Sequence, residues 1–155
     1  MASPNQTSSA DPSLRRTPSN PSPVLAARAV DAMADKRASD ITVLDLRDVS
    51  SMADFFVLGT GESDLQVKAI ANGVMDEIED QCGEQPWQRE GMDHLQWVVL
   101  DYVDVVMHIL LPDKRDHYRI DRLWGEADTE VVPEDGDASD LDGLQDLLQQ
   151  SPDAT

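Results

Sequence analysis

The amino-acid sequence predicts an α/β fold in which a small mixed β-sheet packs with helices, and three observations carry that prediction. Leu95 to Leu111 reads as two apolar, β-branched runs on either side of a polar break, Asp101 to Asp104, which is the pattern of two strands joined by a tight turn. Upstream, Asp54-Phe-Phe-Val-Leu58 ends at Gly59-Thr-Gly61 and gives way to apolar residues at helical spacing, the order of a βαβ-like unit. Alternation places Leu95, Trp97, Val99 and Asp101 on one face of the hairpin's first strand and Val98, Leu100 and Tyr102 on the other. Both faces are largely apolar, so the hairpin belongs near the middle of the sheet with something packed on each side.

Taken in order, residues 1–23 form a Ser-, Pro- and Thr-rich N-terminal extension without apolar periodicity, expected to be disordered. Arg15 and Arg16 in this acid-poor stretch also fit a transit peptide, with a plain solvated tail as the default. Ser22-Pro23 is a cap residue followed by proline at a first helical position, opening a helix to about Lys36 that buries Val30 and Met33. Ile41–Leu46 alternates as a strand and Asp54–Leu58 supplies the next, stopped by its glycines. Ser63 with Gln66 three residues later makes a capping box for the longest helix, whose stripe is Val67, Ile70, Ala71, Val74, Met75 and Ile78 and whose stop is Gly83. A short strand near Trp87 completes the βαβ-like unit. After the hairpin, Asp113 can cap a helix reaching Trp124, ended by Gly125. The domain therefore spans 24–125, and 126–155 is an acidic, mostly disordered C-terminal tail in which Leu141, Leu144, Leu147 and Leu148 could form one helix of about three turns.

The net charge is −19, with 20 acidic and 10 basic residues in 24–125, and 10 acidic and no basic residues in 126–155. Such a chain is repelled by nucleic-acid phosphates and anionic lipid and attracted to basic protein surfaces; life in high salt would favour the same composition. The single cysteine, Cys82, cannot form an internal disulfide, and no Cys/His cluster has zinc spacing. With no bilayer-length apolar run and no signal-peptide pattern, the sequence predicts a soluble, cytoplasmic protein without membrane contact.

Motifs for chemistry are weak. Gly59-Thr-Gly-Glu-Ser-Asp64 sits where phosphate loops occur but lacks their glycine spacing and lysine, and Glu62 and Asp64 oppose an anion, so a turn and helix cap is the better reading. Asp101 and Asp104, with Asp45, are candidate carboxylates for a magnesium site, yet aspartate is so abundant that turn residues are the default. His108 has no convincing nucleophile beside it. Four of the seven aromatic residues, Trp97, Tyr102, Tyr118 and Trp124, fall in the hairpin and the helix after it, flanked by Asp101, His108 and Asp121. Singly each suits a core; as a group they suit a recognition surface with apolar anchors and a polar rim.

Asp40-Ile-Thr-Val-Leu-Asp-Leu-Arg47, Ser50-Ser-Met-Ala-Asp-Phe-Phe-Val57, Gly59-Thr-Gly-Glu-Ser-Asp64, Trp97-Val-Val-Leu-Asp-Tyr102, Asp104-Val-Val-Met-His108 and Tyr118-Arg-Ile-Asp-Arg-Leu-Trp124 together resemble, in order, the motifs of the ribosomal silencing factor family, also called Iojap-like proteins. The resemblance covers roughly residues 24 to 126. It implies a nucleotidyltransferase-like fold without that activity, no cofactor, a homodimer, and binding to the large ribosomal subunit through ribosomal large-subunit protein fourteen. Bound there, family members sterically block joining of the small subunit and so repress translation in starvation or stationary phase. By position, Trp97, Asp101, His108, Tyr118, Leu123 and Trp124 match motif residues expected in or behind the binding surface. Val103 stands where the family usually has glycine, so the hairpin turn is expected to be strained or of another type. The alternatives are an organellar ribosome-assembly factor and a magnesium-dependent nucleotidyltransferase-like enzyme.

Overall fold

A computed structural model describes residues 20–150, apart from the side chains of residues 121 and 123. Helix α1 spans Ser22–Asp35, strand β1 Ser39–Asp45, β2 Phe55–Thr60, helix α2 Asp64–Cys82, β3 Gln88–Glu90, β4 Trp97–Asp101 and β5 Val105–Leu110. Helices α3 and α4 follow at Pro112–Tyr118 and Ile120–Leu123, then β6 at Asp128–Val131, a 3-10 turn at Ala138–Asp140 and α5 at Asp142–Gln150. The six strands make one sheet in the order β3-β4-β5-β2-β1-β6, in which β2 and β5 pair in parallel and the other neighbours are antiparallel. It is a mixed sheet packed with helices, as the periodicities predict. The expected disordered extension, residues 1–23, falls mainly on residues outside those described.

One face of the sheet carries the main core. Val43, Phe55, Val57, Val98, Leu100, Val105, Met107 and Ile109 point to it and are buried under the stripes of α1 and α2. The α2 stripe is Val67, Ile70, Ala71, Val74 and Ile78, and Gly83 ends the helix at φ 69°, a left-handed conformation that glycine adopts without a Cβ penalty. Ser63 Oγ accepts from the Gln66 amide at 3.1 Å, while the Gln66 carboxamide accepts from the Glu62 amide and donates to the carbonyls of Lys36 and Arg37. The cap thus also ties α2 to the end of α1. The Gly59–Asp64 segment is a strand end and helix cap.

Four local expectations are corrected. The short strand after Trp87 is not the parallel partner of β2: β3 is three exposed residues at the sheet edge, antiparallel to β4, and the crossover from β2 ends in β5. β5, like β2, carries apolar side chains on both faces, as a central strand must, whereas Gln88, Arg89 and Glu90 carry none. Ser22 does not cap α1; Pro21 holds that position, and Ser22 Oγ donates to Asp54 Oδ2 at 2.7 Å, linking the helix to the loop before β2. The segment after the hairpin is two helices, because Arg119 adopts φ 52° between them. Its first helix is opened by Pro112, whose fixed φ suits a first turn, with Leu111 extended before it, so Asp113 lies inside the first turn and is not the cap.

The fourth correction is the acidic C-terminal segment, which is structured over 128–150. β6 pairs antiparallel with β1 from Thr42↔Val131 to Asp45↔Asp128. The Glu130 carboxylate then accepts from the amides of Gly143 and Leu144 at 2.8 and 3.0 Å, occupying the N-terminal end of α5, where unpaired N–H groups favour a negative charge. Asp31 on α1 accepts from the Ala138 amide at 3.0 Å. Val132, Ala138, Leu141 and Leu144 join the main core. Acidity alone misleads here because the carboxylates are spent on capping while the sparse apolar residues share one face.

Leu144 is 2% exposed, so Leu144→Ala is expected to lower the unfolding free energy by about 2–5 kcal/mol. Urea unfolding followed by circular dichroism measures this; an unchanged midpoint would mean that the segment contributes no packing.

Candidate partner-binding face

The second face of the sheet is covered over only part of its width. Register sets its rows: Asp101, Val106, Phe56 and Leu44 lie side by side, then Val99, His108, Leu58 and Thr42, then Trp97, Leu110 and Thr60. Leu44, Leu58 and Leu110 are buried with Leu46, Ile120 and Ala127 under α3, α4 and the following turn. Arg115 of α3 donates to Thr60 Oγ1 and Thr42 Oγ1, each at 3.0 Å, which fastens the helix to the sheet. The rows nearer β4 carry no such cover.

Along that boundary run five rings in contact. Tyr118 and Trp97 have centroids 4.7 Å apart, Trp97 and His108 6.1 Å, His108 and Phe56 4.7 Å, and Phe56 and Trp124 6.0 Å in an edge-on arrangement. Aromatic pairs at these separations gain attraction beyond the area they bury. Tyr118 is exposed and Trp97, Phe56 and Trp124 are half-buried, so the chain of rings lies at the surface over much of its length. Gly91 helps place Trp97: at φ 86° it packs so closely that a Cβ would collide with the Trp97 carbonyl oxygen.

His108 is the exception, at 8% exposure. Its Nδ1 accepts from Trp97 Nε1 at 3.1 Å, and its Nε2 has no hydrogen-bond partner among the described residues. Burial, with a smaller contribution from the Arg115 charge, pulls its pKa down to about 4, so it is neutral at physiological pH.

The hairpin turn accounts for Asp101. Its Oδ1 accepts from the Val103 amide at 2.8 Å, an Asx-type turn. Val103 itself sits at φ 75°, so the strain expected of a β-branched residue at this glycine-type position is present. The Asp104 carbonyl accepts from the amides of Asp54 and Phe55 at 2.7 and 3.2 Å, which ties the turn to the start of β2. Asp45 points to the opposite face and pairs with Arg47 through bonds of 2.7 and 2.8 Å; burial raises its pKa, but the Arg47 bonds outweigh burial and leave it below the ordinary carboxylate value. The three aspartates do not converge.

Of the residues that sequence singles out, Trp97, His108, Tyr118 and Trp124 are brought together, and Asp101 borders the same face. Tyr102 is not part of it: at 5% exposure it belongs to the main core, with its hydroxyl pKa raised by burial. Leu123 lies in α4, but its side chain and that of Asp121 are outside the described residues. Sequence reasoning missed Phe56, which bridges His108 and Trp124, and the exposed Met52 and Trp87 beside it. Phe56 was findable, since alternation from Leu58 puts it on this face; nothing in the sequence marks Met52.

The family model described as ribosomal silencing factor during starvation matches residues 19–154. The chain belongs to the ribosomal silencing factor family. The match takes in the acidic segment that the motifs alone leave outside. Ribosomal silencing factor RsfS of Bacillus subtilis is 44% identical over 99 residues, which are 64% of this chain and 83% of that protein. The mouse protein named mitochondrial assembly of ribosomal large subunit protein 1 is 26% identical over 117 residues, 68% of this chain and 51% of that protein. A crystal structure of a Chromobacterium violaceum protein superposes with a TM-score of 0.64 at 36% identity, covering 66% of this chain and 84% of that one. Family membership makes the chain a non-enzymatic silencing factor that acts on ribosomes in starvation and binds the large subunit. Among the described residues, no helix is long and apolar enough to cross a membrane.

Two outcomes test this geometry. Val103→Gly relieves the left-handed strain at the turn and should stabilise the domain by about 1 kcal/mol, seen as a higher urea midpoint. His108 has its folded pKa depressed from 6.5 to about 4, so the unfolded chain binds the extra proton between those values and stability falls as pH drops through that window. The loss is on the order of 3 kcal/mol between pH 7 and pH 4, and a folded His108→Gln variant should lack that contribution in urea titrations across the range.

Proposed function

We propose that this chain docks the ring-lined face, through Trp97, Asp101, His108, Tyr118, Leu123 and Trp124, onto ribosomal large-subunit protein fourteen, and that its bulk then keeps the small subunit from joining. The factor acts in the cytoplasm as a homodimer and represses translation when nutrients run out. The observation that carries this reading is the run of contacting rings on the incompletely covered sheet face. Exposed or half-buried aromatic residues at the edge of a rigid sheet are the anchors that dominate interface energetics. The charge of −19 favours a basic protein surface as the docking partner and disfavours direct contact with ribosomal RNA, since opposite charge speeds encounter and phosphate repels.

Sedimentation of purified large and small subunits, with and without the protein and at several salt concentrations, tests the proposal. Wild-type protein should travel with the large subunit and abolish the joined peak. Trp97→Ala, checked for native circular dichroism, should weaken large-subunit binding by about 30-fold or more, as loss of an aromatic anchor does. Equal binding by the folded variant would remove Trp97 from the interface, and joined ribosomes at saturating wild-type protein would overturn the steric mechanism.

A further inference from the structure

Residues 128–150 carry eight acidic side chains and no basic one, yet they lie on elements that are themselves acidic. Across the β1–β6 ladder Asp128 stands directly opposite Asp45. Like charges facing each other across strands are destabilising. Two cations on the elements beneath are engaged elsewhere: Arg47 with Asp45 at 2.7 and 2.8 Å, and Arg28 with Asp31 and Glu77 at 2.8 and 3.2 Å. Arg37 lines a cleft with Glu134 and Asp135, but among the described residues no ion pair joins the segment to the rest of the chain. What holds it down is contact of short reach. Leu141 and Leu144 are buried with Val132 and Ala138, and Leu147 and Leu148 pack beside them. Glu130 accepts from the Gly143 and Leu144 amides, and Asp31 from the Ala138 amide. A helix of nine residues such as α5 is marginal in water on its own, so it melts once it leaves the body.

We propose that residues 128–150 form a strap gated by ionic strength, closed on the body at high salt and open at low salt. The opposing forces differ in reach. Apolar contacts act within about 4 Å whatever the salt, whereas repulsion between carboxylates extends over the Debye length, about 30 Å at 0.01 M salt and about 3 Å at 1 M. At low salt each carboxylate of the strap therefore acts on all the others and on Asp31, Asp40 and Asp45 beneath; at high salt only immediate neighbours interact. Opening uncovers the outer edge of β1 and the apolar surface under α5, while the β2–β5 centre stays packed under α1 and α2. The strap is thus a separate cooperative unit of lower stability than the centre. Covering the β1 edge, and with it protection from pairing with another chain, becomes conditional on the salt around the protein. The acidic residues do not act alike. Glu130 adds to the repulsion but caps α5 through two amides, so its net effect is to close the strap. Glu134, Asp135 and Asp146 are exposed and make no hydrogen bond or ion pair among the described residues, so they only open it.

Amide hydrogen exchange of the full chain, read by NMR in KCl from about 0.01 M to about 1 M, tests the proposal. The Ala138, Gly143 and Leu144 amides should gain about tenfold or more in protection as salt rises, while amides of the central strands, such as those of Val57 and Met107, stay protected throughout. Combining Glu134→Gln, Asp135→Asn and Asp146→Asn should close the strap at low salt; asparagine tolerates the left-handed φ of 64° at position 135, so the backbone there is not disturbed. Glu130→Gln, which removes the charge and one of the two acceptor oxygens, should instead leave the strap open at salt that closes the wild type. Urea unfolding gives a second readout: the lowered midpoint of Leu144→Ala should appear at high salt and vanish at low salt, where that side chain has already left the core. Strap amides equally protected at every salt would overturn the proposal. So would strap protection that is lost in step with that of Val57 and Met107, or a triple variant with the salt profile of the wild type.

Discussion

The parallel pairing of β2 with β5 is the constraint on which the rest of the molecule depends. Parallel neighbours need a long crossover, and here it contains α2 on one face of the sheet, then the edge strand β3 and its neighbour β4. The pairing also fixes register from Phe55↔Val105 to Thr60↔Leu110. A slip of one residue would turn every side chain over, placing Val57 and Met107 on the open face and Phe56 and His108 in the main core. Bringing Phe56 beside His108, and His108 beside Trp97, is therefore a consequence of the same register that buries the core.

The two faces are built to different ends. Small and branched residues of α1 and α2 cover one face completely, with Ala26, Ala29, Val30, Val67, Ile70 and Val74 all at 0% exposure. The other face is covered only where Leu44, Leu58 and Leu110 meet α3 and α4, and it ends in rings. The acidic segment belongs to the closed side. By adding β6 outside β1 and laying α5 against the main core, it covers one sheet edge and apolar surface of the closed face, and adds no cover over the rings.

Much of this was legible before any coordinates, and the exceptions have physical causes. The hairpin and the α2 stripe with its Ser63 cap and Gly83 stop follow from periodicity and turn chemistry, while the unusual backbone at Val103 was expected from the family resemblance, which has glycine at that position. The βαβ reading failed because adjacency in sequence suggests adjacency in the sheet, whereas Gln88–Glu90 has no apolar face with which to hold a central place. The tail was underrated because composition averages over 30 residues hide Glu130, one carboxylate placed where two amides need it. At the site, Trp97, His108, Tyr118 and Trp124 could be named from their motifs, but contact between them depends on long-range register. Phe56 was hidden by that same dependence.

Acidity and aromatic surface act on different steps of association. Charge works over a distance set by ionic strength, about 8 Å at physiological salt, and so governs how often a basic surface is met. Aromatic anchors act only at contact and set how long a complex lasts. A silencing factor must hold its subunit through a period of starvation, which places the demand on residence time. On the proposed docking face the side chains are already fixed in the free protein: Trp97 is bonded to His108, Phe56 packs against it, and the turn is locked by Asp101. Little ordering entropy remains to be lost on docking, so the contact free energy goes into retention.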